Sequence, residues 1–550
     1  MALGQAIIGT GDARNADREL AQLQAVTAAD VRRVARKYLA DDQRVVIRYL
    51  DESQRPAGAP AEPAPAKPPV VAALTGRVTP TVFTLAPEGQ RELPPAPTAP
   101  RALVTPKPVE RTLANGLRVV VAPSGKLPLV AARLQVDAGA AADPQGRPGV
   151  ASMTANLLTQ GTRTRSAQAI ATEVERLGAD LSASAGWDGS VVGLNVLKTR
   201  LDPAMAIMAD VVRNPAFSAE ELDRQRTQAL DGLQVSLKQP GSVASLAVPH
   251  IVFGAGAYGH PAAGTPESLT AMTAAELRAF HAAGFGPRNA TLVLTGQITP
   301  EEGFALAQKH FGAWSGGPAS RASAQQTAAA FGQPKTVLID LPGSGQAAVV
   351  AATPTLARTD PDYQAAEVAA SVLGGGYSAR LNQEIRIKRG LSYGAGASLS
   401  ARRQAGVLTA SAQTKNESAA EVVELLRGEL TRLSTGEIAA PELAARKSTL
   451  IGSFGRSIET VDGLAGEIGE LAQFGLPLSE LERYAPKVEA VTADQVRTVA
   501  GRRLGAANAN LIVVGDAKTF EPAIRAKHPA AVTVPAAELD LDGPNLRKGR

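Results

Sequence analysis

Residues 491–515 read Val491-Thr-Ala-Asp-Gln-Val-Arg-Thr-Val-Ala-Gly-Arg-Arg-Leu504, a polar turn, then Asn510-Leu-Ile-Val-Val-Gly515. The same pattern stands at 272–296, where Met272-Thr-Ala-Ala-Glu-Leu-Arg-Ala-Phe280 precedes Asn289-Ala-Thr-Leu-Val-Leu-Thr-Gly296. It stands again at 26–50, where Val26-Thr-Ala-Ala-Asp-Val-Arg-Arg-Val-Ala-Arg-Lys-Tyr-Leu39 precedes Arg44-Val-Val-Ile-Arg-Tyr-Leu50. Each copy places a Thr to cap a helix, with an acidic or amide residue in the first turn. One amphipathic helix then gives way to a polar turn and a β-branched strand. Three copies of one domain ending predict three related domains, the first cut short, with room for one more helix at roughly 10–24.

The segments between the copies follow this frame. Residues 53–109 are rich in Pro and Ala, which favours an extended, semi-rigid linker, with a short strand expected at Pro80–Leu85. Asn115-Gly116 signals a hairpin turn between Glu110–Leu113 and Leu117–Val121, and Leu129–Val136 reads as another strand. Helical patterns follow at 149–160, 166–178, 200–213, 218–238 and 300–311. A second linker spans 317–333. Strands at 335–340 and 346–352 open the next unit, followed by a helix at 361–373 with Ala365, Val368, Ala369, Val372 and Leu373 on one face. A strand near 405–413 and helices at 417–434, 440–456, 460–474 and 479–490 complete it. The resulting plan is 1–52, 53–109, 110–316, 317–333, 334–535 and a polar tail, 536–550, expected to be loose.

Composition narrows the function classes. The 550 residues are 44% hydrophobic and 20% charged, which is globular rather than disordered. The net charge of +5 comes without a basic run interleaved with aromatics, so nothing in the sequence supports nucleic-acid binding. No Cys is present, which removes disulfides and Cys-ligated metals. No run of about 18 apolar residues marks a membrane span. The first residues lack the basic and apolar regions of a signal peptide. The compartment stays open: periplasmic if a longer parent carries a signal peptide, otherwise cytoplasmic.

The chemistry-bearing stretch is Leu373-Gly-Gly-Gly-Tyr-Ser-Ala-Arg-Leu-Asn-Gln-Glu-Ile-Arg-Ile-Lys-Arg-Gly-Leu-Ser-Tyr-Gly394. Gly374, Gly375 and Gly376 are not a phosphate loop, because no Lys-Ser/Thr follows them and a helix, not a strand, precedes them. One reading is a helix–loop–helix connection in which the glycines permit positive φ and Ser378 caps the next helix. Likewise Arg386 and Tyr393 can be read as a surface Arg and a core Tyr. The five histidines, His250, His260, His281, His310 and His528, form no i, i+3 or i, i+4 ligand pair and read as solitary.

The order of Leu113-Ala-Asn-Gly-Leu-Arg-Val-Val-Val121, Pro342-Gly-Ser-Gly-Gln-Ala347, Asp360-Pro-Asp-Tyr363, the glycine stretch and Arg386-Ile-Lys-Arg-Gly-Leu-Ser-Tyr393 resembles the pitrilysin/insulinase-type zinc metallopeptidases. The likeness is to the bacterial branch similar to the mitochondrial processing peptidase. It covers about 109–530, with 10–52 as the end of a preceding domain. The resemblance implies an α+β fold of two similar domains, each a mostly antiparallel sheet backed by helices, preceded by the truncated end of a third. Such peptidases carry His-x-x-Glu-His on a helix, where two His on one face bind zinc and the Glu activates water. A further Glu ligand stands some 76 residues on. The matching positions here are Ser152, Ala155, Asn156 and Gly232, a degenerate set with no metal ligand among them.

The resemblance therefore implies a zinc-free half, with no cofactor in this chain and zinc on a partner half. That partner is either a separate subunit or a missing N-terminal portion. Arg386 and Tyr393 complete the partner's catalytic site by hydrogen-bonding the substrate carbonyl and oxyanion. The resemblance also implies that Gly374, Gly375 and Gly376 contribute to binding the peptide substrate. Two rivals stand beside this reading. One is a scaffolding subunit of the same fold, like the core subunits of respiratory complexes. The other is an autonomous peptidase with an unrecognised metal site.

Overall fold

Two copies of the repeated ending each deliver the strand that sits inside a six-stranded sheet. The computed structural model describes residues 2–47, 49, 86–87, 89–92, 103–125, 127–318, 333–543 and 545–548. The chain divides into two units, Met1–Ala99 and Pro100–Arg550. Pro80–Leu85, and most of the linkers expected at 53–109 and 317–333, lie outside the described residues.

The first unit holds helices α1 (Ala2–Thr10), α2 (Asn15–Ala25) and α3 (Ala28–Tyr38). Thr27 caps α3 as expected, accepting from Asp30 N while the Asp30 carboxylate accepts from Thr27 N. Neither α2 nor α3 has a buried residue. The strand expected at 44–50 is not formed at the described residues 44–47, where Val45 is 88% exposed. A strand needs neighbours for its N–H and C=O groups, and the unit shows no other strand among its described residues.

The second unit has two lobes. The first contains β1 (Val109–Thr112), β2 (Arg118–Pro123), β3 (Leu129–Val136), β4 (Asp180–Ala185), β5 (Ser190–Leu197) and β6 (Ala290–Gly296). Its helices are α4 (Val150–Leu158), α5 (Ala167–Arg176), α6 (Leu201–Arg213), α7 (Ala219–Ser236), α8 (Pro240–Phe253), α9 (Pro266–Ala271), α10 (Ala274–Gly284) and α11 (Pro300–Phe311). The second lobe contains β7 (Thr336–Asp340), β8 (Ala347–Thr355), β9 (Ala395–Ser400), β10 (Gly406–Thr414), β11 (Asn510–Gly515) and β12 (Val532–Pro535). Its helices are α12 (Tyr363–Gly374), α13 (Ala419–Thr435), α14 (Ala440–Glu459), α15 (Val461–Gln473), α16 (Glu480–Ala490), α17 (Ala493–Val499) and α18 (Ala517–Lys527).

The sheets run β1-β2-β6-β3-β5-β4 and β12-β7-β11-β8-β10-β9. From β2 and β7 onward they share one topology, with β2/β6 and β7/β11 parallel and the rest of that common part antiparallel. The repeats supply β6 and β11, buried at every position, which is why they read as unbroken apolar runs. Thr273 and Thr492 close capping boxes on α10 and α17, as Thr27 does on α3. The fold is the expected α+β pair of similar sheet-and-helix lobes.

Each lobe lends a helix to the other. Helix α8 packs on β8 and β11 of the second sheet, and α15 packs on β3 and β6 of the first. Val243, Ala247 and Ile251 of α8 share a core with Ile339, Val350 and Ile512. Leu464, Ala465 and Ile468 of α15 share one with Val120, Ala131 and Val293. A polar knot adds to this. Asp188 accepts from Tyr258 Oη at 2.5 Å and from Arg403 N at 2.9 Å. The Arg403 guanidinium reaches Asp137 at 3.2 Å. The neighbouring Arg402 is buried with its guanidinium 4.1 Å from the Trp187 ring and 4.9 Å from those of Phe253 and Tyr258. Burial lowers its pKa to about 10.

Several expectations are corrected. Two helices, α1 and α2, precede residue 26 where one was expected at roughly 10–24, and helices α8, α9 and α18 and strands β4, β5, β9 and β12 were not foreseen. The expected loose tail is packed: Leu539, Leu541 and Leu546 are buried in the core formed by α8 and the second sheet. Alternating acids had masked these leucines, which close the outer face of that sheet beside Val534. No described helix is long and apolar enough to cross a membrane.

Candidate functional site

Helix α4 carries the positions where the resemblance would place a metal. Its start is anchored by Asp143, whose carboxylate accepts from Gly149 N and Ala151 N, both at 2.7 Å. Gly149 has φ 93°, a left-handed conformation that suits glycine at this cap. Burial raises the Asp143 pKa to about 7 against the pull of those two bonds. Ser152 is half-buried and Asn156 exposed, one helical turn apart on one face, while Ala155 is fully buried. Helix α7 packs beside α4 and carries Gly232, exposed with open space where a side chain would stand.

The fold thus assembles all four positions on two adjacent helices, but the residues do not fit a zinc ion. A hydroxyl, a neutral amide, a methyl group and a bare Cα offer no anionic or imidazole donor and no base for water. The histidines lie elsewhere. His281 Nε2 is 2.8 Å from Val212 O, His310 pairs with Asp202 at 2.8 Å, and His528 pairs with Glu424 at 3.2 Å. Those carboxylate pairs join residues far apart in sequence and were invisible to an i, i+4 search. Among the described residues no group of three or more His, Asp or Glu side chains is placed to hold an ion.

The glycine stretch lies in the second lobe. Gly374 ends α12 against β9, and a Cβ there would stand 2.0 Å from Ala397 N. At Gly375 it would stand 2.7 Å from Ser371 Cα, although φ is an ordinary −77°. Close approach, not positive φ, is what demands glycine at these two positions. Ser378 does not cap the next helix as expected: its Oγ accepts from Arg446 Nη2 at 2.5 Å.

Beyond it the chain forms a π-helical turn, Asn382–Ile387, which carries Arg386. Such turns occur often at functional sites. The Arg386 guanidinium lies 4.9 Å over the Tyr377 ring, and no ion pair or side-chain hydrogen bond holds it among the described residues. Tyr393 is 88% exposed, not the core Tyr of the plain reading, and its hydroxyl likewise has no partner among the described residues.

The segment between them is firmly tied. Leu391 N donates to Ile385 O at 2.9 Å, Thr414 Oγ1 to Leu391 O at 2.6 Å, and Gly394 N to Ser392 Oγ at 3.1 Å. Buried Asn382, which sequence reasoning passed over, donates to Tyr377 O at 2.6 Å and accepts from Ala395 N at 3.3 Å. It thereby staples the loop's two ends, although only its place inside the quoted stretch hinted at a role. The Arg386 and Tyr393 side chains thus project from a backbone that these hydrogen bonds hold in place.

Tyr393 stands at the edge of a cleft of about 1070 Å³. Ser236, one turn beyond Gly232 on α7, lines the same cleft. Neither Arg386 nor Gly374, Gly375 and Gly376 belong to its lining.

Comparison with known proteins bears on this arrangement. Residues 118–266 match the family model described as Insulinase (Peptidase family M16), and residues 271–450 match the one described as Peptidase M16 inactive domain. An uncharacterised zinc protease of Streptomyces coelicolor is 27% identical over 413 residues, 74% of this chain and 89% of that protein. A probable mitochondrial-processing peptidase subunit beta of Schizosaccharomyces pombe is 30% identical over 215 residues, 38% of this chain and 45% of that protein. The crystal structure of a peptidase M16 inactive domain from Pseudomonas fluorescens superimposes with a TM-score of 0.69 at 29% identity. It covers 74% of this chain and 98% of that one.

Proposed function

Because the chain belongs to the insulinase (pitrilysin) family of peptidases, we propose that it is the zinc-free half of a two-half metalloendopeptidase. It binds peptide and lends Arg386 and Tyr393 to an active site whose zinc ion lies on the other half. The observation that carries this reading is a contrast within one chain. Positions 152, 155, 156 and 232 lack every ligand, while Arg386 and Tyr393 keep their donors free on a tied loop. A scaffold has no chemical reason to hold an exposed Tyr hydroxyl and an Arg without an ion pair on so firmly tied a segment. As a substrate carbonyl oxygen gathers negative charge, the Tyr393 hydroxyl and the Arg386 guanidinium donate hydrogen bonds to it in a closed chamber. The partner is a separate subunit or a preceding part of a longer chain. Residues 26–50 repeat the sequence pattern with which the two lobes end.

The test begins by finding the half with His-x-x-Glu-His, encoded upstream or in an adjacent gene. Mixing it with this chain is expected to produce chelator-sensitive peptide cleavage that neither half shows alone. Tyr393→Phe in this chain is expected to lower kcat about 10²-fold, the scale for losing one oxyanion donor. An unchanged kcat removes the assigned role. Stoichiometric zinc and peptide cleavage by the purified chain alone would overturn the reading altogether.

A further inference from the structure

The cleft beside Tyr393 has a chemistry of its own. Its floor is the outward face of the second sheet where α8 gives way to open strand. On β10 exposed Ser411 and Gln413 alternate with buried Ala410 and Ala412. The register sets Gly396 of β9 and Val350 of β8 on either side of Ser411, and Ala348 of β8 beside Gln413. The wall is the end of α7 and the start of α8, presenting Gln239, Ser242 and Ser245. Tyr393 and Gly394 form the rim, where the edge strand β9 begins. Of the 18 lining residues none is Asp, Glu, Lys, Arg or His, where roughly four would be expected from ordinary composition.

Such a surface selects by what it lacks. Hydroxyls and primary amides both donate and accept, so they can serve the N–H and C=O groups of an extended main chain in either direction. A charged side chain brought into the cleft finds no counter-ion and loses hydration. Small residues such as Ala348, Gly396 and Ser411 project little from the floor, and three strands at about 4.8 Å spacing are wide enough to seat one extended chain. The volume of about 1070 Å³ lies just above the range for small-molecule clefts, about 300–1,000 Å³.

We propose that this cleft binds an extended peptide segment whose side chains are small or uncharged, and that it rejects Lys-, Arg-, Asp- and Glu-bearing segments. The proposal rests on the reading of the chain as a peptide-binding half and names the class of segment that half accepts. Binding to the cleft needs neither zinc nor the partner.

The experiment is fluorescence anisotropy on the full chain alone. The probes are a labelled peptide of about eight residues drawn from Ser, Ala, Thr and Gln, and the same peptide with two Lys or with two Glu. The neutral peptide is expected to bind, and both charged ones to bind at least about tenfold more weakly. Ser245→Glu and Gln413→Glu stand at exposed positions and should leave the fold intact. Either is expected to raise the affinity of the Lys peptide and depress that of the Glu peptide. Equal affinity for all three peptides, no binding of the neutral one, or no response to Ser245→Glu overturns the proposal. If the neutral peptide binds but Tyr393→Phe leaves kcat of the mixed halves unchanged, the catalytic reading falls and the cleft stands. If the mixed halves cleave in a Tyr393-dependent way but the neutral peptide does not bind, the cleft alone falls.

Discussion

At Gly374 a single methyl group has nowhere to go. Its Cβ would meet the backbone of β9, Ala397 N at 2.0 Å and Gly396 C at 2.5 Å, and backbone does not step aside as a side chain can. Gly374→Ala is therefore expected to destabilise the chain by about 2 kcal/mol or more in urea denaturation. A loss below about 0.5 kcal/mol would count against the close packing of α12 on β9. Glu367 offers a second residue-scale test. Its Oε1 accepts from Tyr484 Oη at 3.0 Å while its Oε2 is buried without a hydrogen bond. Burial raises its pKa to about 7. A carboxyl whose folded pKa lies above its unfolded value weakens the fold as pH rises from about 4.5 to 7, and the penalty is complete above that. Glu367→Gln keeps an acceptor for Tyr484 and does not ionise. It is expected to match the parent chain near pH 4.5 and exceed it at pH 8, by something on the order of 3 kcal/mol. Equal stability at pH 8 would show that the carboxylate is solvated when charged.

At the scale of elements, the exchange of α8 and α15 governs how the lobes depend on each other. Ile468 is fully buried on α15, a second-lobe helix, yet it packs in the core of the first sheet. Ile468→Ala is expected to cost about 2–5 kcal/mol. The loss should show as reduced amide protection in β3 and β6, the strands that α15 covers. Protection lost only within the second lobe would contradict the exchange. The sequence conveyed these two helices unequally. Residues 460–474 keep an amphipathic period, since α15 is buried on one side. Helix α8 is apolar nearly all round, opens with Pro240-Gly241 and contains Pro249, so it shows turn signals and no 3.6-residue stripe. Strand β4, Asp-Leu-Ser-Ala-Ser-Ala, is an edge strand of small residues with too little β-branched character to stand out.

For the whole molecule, neither sheet of residues 100–550 is closed on both faces by its own lobe. That unit is therefore expected to unfold in one transition, with circular dichroism and Trp fluorescence coinciding in urea. Two separated transitions would mean that the lobes are independent. How much of this was legible varied with the range of the interaction. The capping boxes at Thr27, Thr273 and Thr492, the buried strands β6 and β11 and the lack of ligand side chains at 152, 155, 156 and 232 were all readable, because each is local in sequence or fixed by residue identity. The buried leucines of the tail and the neutral cleft were not, because they depend on which surfaces meet across hundreds of residues. The sequence by itself determined the repeated sheet-and-helix lobes and the absence of any metal-ligating side chain at positions 152, 155, 156 and 232, since periodicity and side-chain type suffice for these. Only the tertiary structure decided that the lobes exchange helices, that steric contact with β9 is what demands Gly374, and that Tyr393 stands free above an uncharged cleft. Those outcomes follow from long-range packing, which no local pattern encodes.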